Sequence, residues 1–211
     1  MESSNPQLGS ADGGELQKYY RYHSRIYDAT RWSFLFGRGQ ILDMIPDLPS
    51  QPSVMEVGCG TGKNIERMEY CLPDANILGL DLSDDMLSIA RNKLGDSQKV
   101  NLKNIKYGRQ PLDEGPFDLI LLSYSLTMIG DEVEEVLKQL SRDLKPKGYV
   151  AVVDFHTSPF GWFRHWMTMN HVDLSGGMLP LLKTYFRPCD ITINNAYMGL
   201  WSYMMFVGKH G

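Results

Sequence analysis

The chain has 211 residues, 43% of them hydrophobic and 22% charged. That length supports one to one and a half domains burying about 70% of the unfolded surface, and the composition excludes collagen-like, coiled-coil and wholly disordered classes. A net charge of −4 offers no broad basic surface, so no nucleic acid is expected as a partner.

The three cysteines, Cys59, Cys71 and Cys189, lie far apart with no CxxC pair. This argues against a disulfide framework and a zinc site and fits a reducing, cytoplasmic compartment. No stretch reaches the roughly 18 uninterrupted apolar residues of a spanning helix, and the start lacks a signal peptide's regions. The expectation is a soluble protein, or one peripheral on the inner membrane.

Residues 1–14 read as a flexible leader, rich in Ser, Gly, Asn and Asp. Residues 15–211 read as a single domain. Tyr19, Tyr20, His23, Ile26 and Tyr27 recur at helical spacing and Trp32, Phe34, Leu35 and Phe36 follow, which predicts an N-terminal helical cap over 15–50. Strand and helix then alternate over 52–154: strand 54–57, helix 64–72, strand 77–80, helix 84–94, strand 117–122, helix 131–144 and strand 149–154. Val133, Val136, Leu137, Leu140 and Leu144 share one helical face, and Pro146 with Gly148 is expected to stop that helix. The run Val150–Val153 predicts a strand buried on both faces. An insertion over 156–188, with a helix at 179–185, precedes a C-terminal strand pair over 189–211, at 191–196 and 203–207, expected to close antiparallel at the sheet edge.

The strongest signal is Val54-Met55-Glu56-Val57-Gly58-Cys59-Gly60-Thr61-Gly62, a strand entering three glycines and then a helix. Glycines two apart permit left-handed turns and let backbone amides approach a ligand with no Cβ in the way. The dinucleotide fingerprint GxGxxG would need glycine at position 63, where Lys63 stands, so NAD is the runner-up. Asp81 closes the second strand, where a carboxylate can accept from both ribose hydroxyls. Ser83, Asp84 and Asp85 fit simple capping of the next helix.

The ExGxGxG loop after the first strand, the acid ending the second, and Phe117-Asp118 resemble class I S-adenosylmethionine-dependent methyltransferases over residues 52–154. The resemblance implies a Rossmann-like α/β fold, a mostly parallel seven-stranded sheet with an antiparallel C-terminal strand. It also implies S-adenosyl-L-methionine as cofactor. Glu56, Gly58, Cys59, Gly60 and Gly62 would hold the methionine end, Asp81 the ribose, and Leu82 and Met86 would flank the adenine; helix core is an equal reading for Met86. The family often carries an acid after the third strand, whereas this chain reads Gly108-Arg109-Gln110, so the adenine contact there falls to Arg109, Gln110 or a backbone group.

A closer likeness lies in Tyr22-His23-Ser24-Arg25-Ile26-Tyr27-Asp28-Ala29-Thr30-Arg31-Trp32, in Ser123-Tyr124-Ser125-Leu126-Thr127-Met128-Ile129, and in Val153-Asp154-Phe155. These segments resemble bacterial N-methyltransferases of betaine-lipid synthesis, which are similar to phosphatidylethanolamine N-methyltransferases. The implied activity is trimethylation of the amine of diacylglyceryl homoserine, with the enzyme that makes the homoserine lipid as a partner. The alternatives are phosphatidylethanolamine, a small soluble amine or a quinone as acceptor. A non-catalytic cofactor sensor would show a damaged glycine loop or no Asp81, and neither is seen.

Methyl transfer from a sulfonium is an in-line displacement, so the protein mainly positions the amine and excludes water. An alkylammonium must lose a proton first. Tyr124, Asp154 and His156 stand at strand ends, with His156 the candidate proton acceptor and Tyr124 the group that orients the amine. Tyr27, Arg38 and Ser123 join the cofactor candidates. Surface solvation is an equal reading for Arg38, as it is for Arg31, and core packing is one for Tyr27. Tyr19, Tyr20, Tyr27, Trp32 and Tyr124 are candidates to face cationic sulfur or methylammonium.

Three of the four tryptophans lie beyond residue 160, and residues 151–211 carry four Lys or Arg against three Asp. Ser158 and Pro159 suggest a helix start, after which Trp162, Phe163, Trp166, Met167 and Met169 share one face. A membrane-surface helix, a lid over the acceptor and plain core all fit this pattern.

Overall fold

Strand β1 (Ser53–Val57) is followed by helix α2 (Lys63–Cys71), β2 (Asn76–Asp81), α3 (Asp84–Leu94), β3 (Val100–Asn104) and β4 (Phe117–Ser123). A short helix α1 (Gln40–Asp43) precedes them; α4 (Val133–Asp143), β5 (Leu144–Thr157), α5 (Gly161–Met169), α6 (Met178–Tyr185), β6 (Arg187–Ala196) and β7 (Trp201–Lys209) complete the chain. This computed structural model describes residues 34–109 and 112–210, and residues 35–211 form one unit. The leader, the predicted helix bearing Tyr19, Tyr20, His23, Ile26, Tyr27, Arg31 and Trp32, and Gln110 lie outside the described residues.

The sheet order is β3-β2-β1-β4-β5-β7-β6. Strands β1 to β5 pair in parallel; β7 is antiparallel to both β5 and β6, so it alone runs against the rest. The expected mostly parallel seven-stranded sheet with an antiparallel C-terminal strand is therefore present, with β7 inside it and β6 at the edge. The order reverses between β1 and β4, which opens a crevice at their carboxyl ends, the place where open α/β sheets take ligands.

Alternate residues fill the two faces. Met55, Val57, Ile120, Leu122, Val150 and Val152 form one core with Val136, Leu137 and Leu140 of α4 and Leu179 and Leu182 of α6. On the opposite face a side chain at Gly79 would strike Ile65 of α2. Residues 150–153 are wholly buried, as their unbroken apolar run predicts. The Ser83 hydroxyl accepts from Met86 N at 3.3 Å and caps α3, with Asp84 and Asp85 in the first turn.

Several boundaries differ from expectation. Helix α4 ends at Asp143, and Pro146 and Gly148 belong to the irregular start of β5, where the register shifts between Phe117 and Leu119. The same helix begins at Val133 after a 3-10 turn at Gly130–Glu132. Strand β3 carries no clear apolar alternation and went without a prediction of its own. In α5 only Phe163 and Met167 are buried, so the apolar face is wider than the protein core beneath it.

Candidate active site

The glycine loop leaves β1 at the reversal of strand order. Gly58, Gly60 and Gly62 take φ of 76°, 54° and 73°, a left-handed path that side chains disfavour. Gly58 N and Cys59 N donate to Leu80 O at 2.8 and 2.9 Å, which ties the loop to the end of β2. A Cβ on Gly60 would meet none of the described residues within 4 Å.

Asp81 fixes this loop from the neighbouring strand. One carboxylate oxygen accepts from Gly60 N at 2.8 Å and the other from Ser83 N at 2.9 Å. A carboxylate has about four acceptor positions, so lone pairs remain for a ligand. Leu82, beside it, is exposed, and Met86 in the first turn of α3 is half-buried.

Glu56 lies wholly buried below the loop. Its Oε1 accepts from Asn64 Nδ2 at 2.5 Å, whereas Oε2 has no hydrogen-bond partner among the described residues. Burial pushes its pKa up from 4.5 to about 7, against the pull of Asn64 and the Arg38 guanidinium. Cys59 is also buried and its thiol pKa is raised by desolvation, so what it presents to the loop is backbone and packing rather than a thiolate.

Arg38 Nε donates to Ser123 Oγ at 3.1 Å, joining the segment before α1 to the end of β4. Tyr124 leaves β4 at φ 55°, a conformation that costs a non-glycine residue about 1 kcal/mol or more. Its backbone N donates to Val153 O at 2.8 Å and its hydroxyl donates to Phe36 O at 2.7 Å. Burial raises the phenol's pKa, so it stays protonated. Tyr124 packs edge-on to Phe155 at 4.8 Å, Phe155 lies 5.0 Å from Trp201, and Phe36 approaches Trp201 and Tyr203 at 5.9 and 6.0 Å.

Asp154 is fully buried and accepts from Thr127 Oγ1 at 2.5 Å, Thr127 N at 3.2 Å and Phe155 N at 2.8 Å. Desolvation lifts its pKa to about 6 while these donors hold it down. His156, two residues on, has a buried Nδ1 without a partner among the described residues, and desolvation lowers its pKa. It lies by Gly176, whose Cβ would stand 3.6 Å from His156 Cε1. Tyr124 and His156 therefore occupy different surroundings, one in the aromatic cluster and one beside the loop before α6. Arg109 is exposed and pairs with Glu132, which also holds Lys106 at 2.6 Å.

Residues 54–148 match a family model described as a methyltransferase domain. The demethylmenaquinone methyltransferase of Lactococcus lactis is 33% identical over 105 residues, 48% of this chain and 41% of that protein. The N-methyltransferase NodS of Bradyrhizobium japonicum, solved with S-adenosyl-L-homocysteine, superposes with a TM-score of 0.67 at 15% identity, covering 82% of this chain and 84% of that one. Over residues 54–148 the chain is similar to S-adenosylmethionine-dependent methyltransferases, on the class I methyltransferase fold. A Haemonchus contortus phospholethanolamine N-methyltransferase 2 shares the fold at a TM-score of 0.68 and 14% identity, covering 82% of this chain and 52% of that one. The chain spans about two-fifths to one-half of the length of the curated relatives it matches.

S-adenosylmethionine fits the residues at this glycine loop. The Oε2 of Glu56, without a hydrogen-bond partner among the described residues, can take a cationic partner, and no described residue crowds Gly60 on the ligand side of the loop. The structure gathers Glu56, the glycines and Asp81 at one edge, and adds Asn64, absent from the sequence reading, as the donor that holds Glu56. The rings of Phe36, Phe155, Trp201 and Tyr203 also went unpredicted, because they converge from distant parts of the chain.

Proposed function

We propose that the protein N-methylates a lipid head-group amine with S-adenosylmethionine, the first acceptor being diacylglyceryl homoserine and the product its trimethylated betaine. The observation that carries this reading is His156, near the carboxyl end of β5, whose Nδ1 is buried with no hydrogen-bond partner among the described residues. Its lowered pKa keeps the imidazole neutral at pH 7, the form that accepts a proton from an ammonium.

In this reading Glu56 through Gly62 hold the methionine end, Asp81 the ribose, and Leu82 with Met86 the adenine. Arg38 and Ser123 close the pocket from the side of β4, and Arg109, paired with Glu132, is the candidate adenine contact after β3. The bound cofactor supplies an electrophilic methyl group on sulfur. The chain's own part is to orient the amine, remove its proton and keep water out. Tyr124, whose hydroxyl donates to Phe36 O, is the group that orients the amine in this reading. The cluster of Phe36, Tyr124, Phe155, Trp201 and Tyr203 favours a methylated ammonium by about 0.5–2 kcal/mol for each ring that meets it.

Mass spectrometry of lipids from cells expressing the protein, with and without the homoserine-lipid precursor, tests the acceptor. Successive methyl gains on the homoserine lipid are expected. Gains confined to phosphatidylethanolamine would transfer the activity to that head group, and no lipid gain would leave a soluble amine or quinone.

A further inference from the structure

The segment after β5 and the turn between β6 and β7 carry unusually exposed apolar side chains. Trp162 is 65% exposed, Trp166 46% and Met169 67% along α5, with Phe160 just before it. Met198 is fully exposed and Tyr197 half so. Tyr197 and Met198 hold φ of 48° and 54°, left-handed conformations that set the tip of this turn.

The two segments are bolted together. The Ser158 hydroxyl donates to Leu200 O at 2.6 Å, and Thr157 pairs with Ser202 across β5 and β7. Both lie at the carboxyl end of β5, the edge of the sheet where the glycine loop also emerges.

Charge selects the occupant. Residues 155–172 contain one arginine, three histidines and no carboxylate, and residues 191–208 contain no charged residue at all, in a chain of net charge −4. The neighbouring acid, Asp173, has its carboxylate turned onto Ser175 N and Oγ at 2.7 and 2.8 Å. Tryptophan, methionine and Arg164, whose guanidinium also donates to Ser158 O at 2.5 Å, on a short helix without carboxylates match the head-group zone of an anionic bilayer.

We propose that α5 and the 197–199 turn form a two-point docking surface for an anionic bilayer, which seats the methyl-transfer cleft at head-group depth. This rests on the lipid-acceptor reading above and adds the means by which the lipid is reached. Trp162 and Trp166 enter the interface from the helix and Met198 from the turn.

The test uses the full chain with vesicles of phosphatidylcholine alone or with phosphatidylglycerol. The protein is expected to sediment with the anionic vesicles, with a blue shift in tryptophan emission. Trp162→Ser with Trp166→Ser, and separately Met198→Ser, should each lower partitioning by about tenfold while leaving S-adenosylmethionine affinity unchanged by calorimetry. A wild-type chain that ignores anionic vesicles overturns the surface, as do variants that sediment like wild type. So does a dimer, seen by light scattering, that the tryptophan pair dissociates, since the face would then cover a second copy. Methylation of the lipid amine assayed in mixed micelles separates the two ideas. Activity in micelles without vesicle binding overturns only the docking surface; vesicle binding without lipid methylation overturns only the acceptor.

Discussion

Asp81 accepts a hydrogen bond from Gly60 N at 2.8 Å, across the gap between the end of β2 and the loop after β1. In the proposed reading, the carboxylate offered to the ribose is thus the same group that sets the loop assigned to the methionine end. Asp81→Ala should lower S-adenosylmethionine affinity by about 100-fold or more, since it removes a charged acceptor and releases the loop. Asp81→Asn keeps one acceptor oxygen and should lose less. Calorimetry on the folded variants decides, and unchanged affinity in Asp81→Ala would remove the assigned pocket.

Glu56, assigned to the cofactor in the proposed reading, is also a titrating group. Its pKa is pushed from 4.5 to about 7 by burial, so between those values the folded chain keeps a proton that the unfolded chain has lost. Stability of the cofactor-free protein should therefore fall as pH rises through that window, by about 3 kcal/mol if no other group intervenes. Affinity for the cationic cofactor should run the other way, rising with pH and levelling above about 7, because the ionised carboxylate is the binding form. Glu56→Gln should flatten both profiles. Denaturant unfolding and calorimetry at pH 5 and pH 8 measure them, and a wild-type affinity independent of pH would separate Glu56 from the cofactor.

The glycine loop and Asp81 were legible because turn chemistry and strand ends act over a few residues, and three glycines beside an acid leave few alternatives. What escaped reading depends on distance or on edges. Asn64 looks like any polar residue in a first helical turn until the buried Oε1 of Glu56 appears 2.5 Å away. Strand β3 sits at the sheet edge, where Asn101 and Asn104 are exposed and no apolar alternation is needed. Pro146 marked the end of α4 to within one residue, but the start of β5 was missed because a register shift lets the strand begin before that proline. Phe36 and Tyr203 stack at 6.0 Å, yet nothing local in either segment announces the other.

Thr127 is the main support of a buried charge. It gives Asp154 both a hydroxyl and a backbone donor, and Thr127→Val removes the first without changing shape. The expected loss is about 1.5–3 kcal/mol at pH 7.5, the range for a hydrogen bond to a charged group. Burial already raises the Asp154 pKa to about 6, so the folded state takes up a proton before the unfolded one as pH falls. The deficit should shrink at pH 5, where the carboxyl is neutral and needs its donors less. Chemical denaturation at the two pH values checks both size and sign, and an equal loss at each would show that Asp154 is not the partner that matters.

His156 carries the proposed proton transfer, so its variant must change the pH profile and not the rate alone. The neutral imidazole is the working form, and its lowered pKa places the fall in kcat on the acid side of neutrality. His156→Gln should reduce kcat by about 100-fold to 10,000-fold, the usual span for a general base, and should erase that acid limb. Cofactor affinity should be unchanged, because Asp81 and Glu56 are untouched. If His156→Gln keeps the acid limb, the base lies elsewhere, and a purely structural histidine would show instead as a lower melting temperature with the profile intact. Because His156 sits beside Gly176 rather than in the aromatic cluster, the experiment also decides whether the amine reaches the side of β5 that faces the loop before α6.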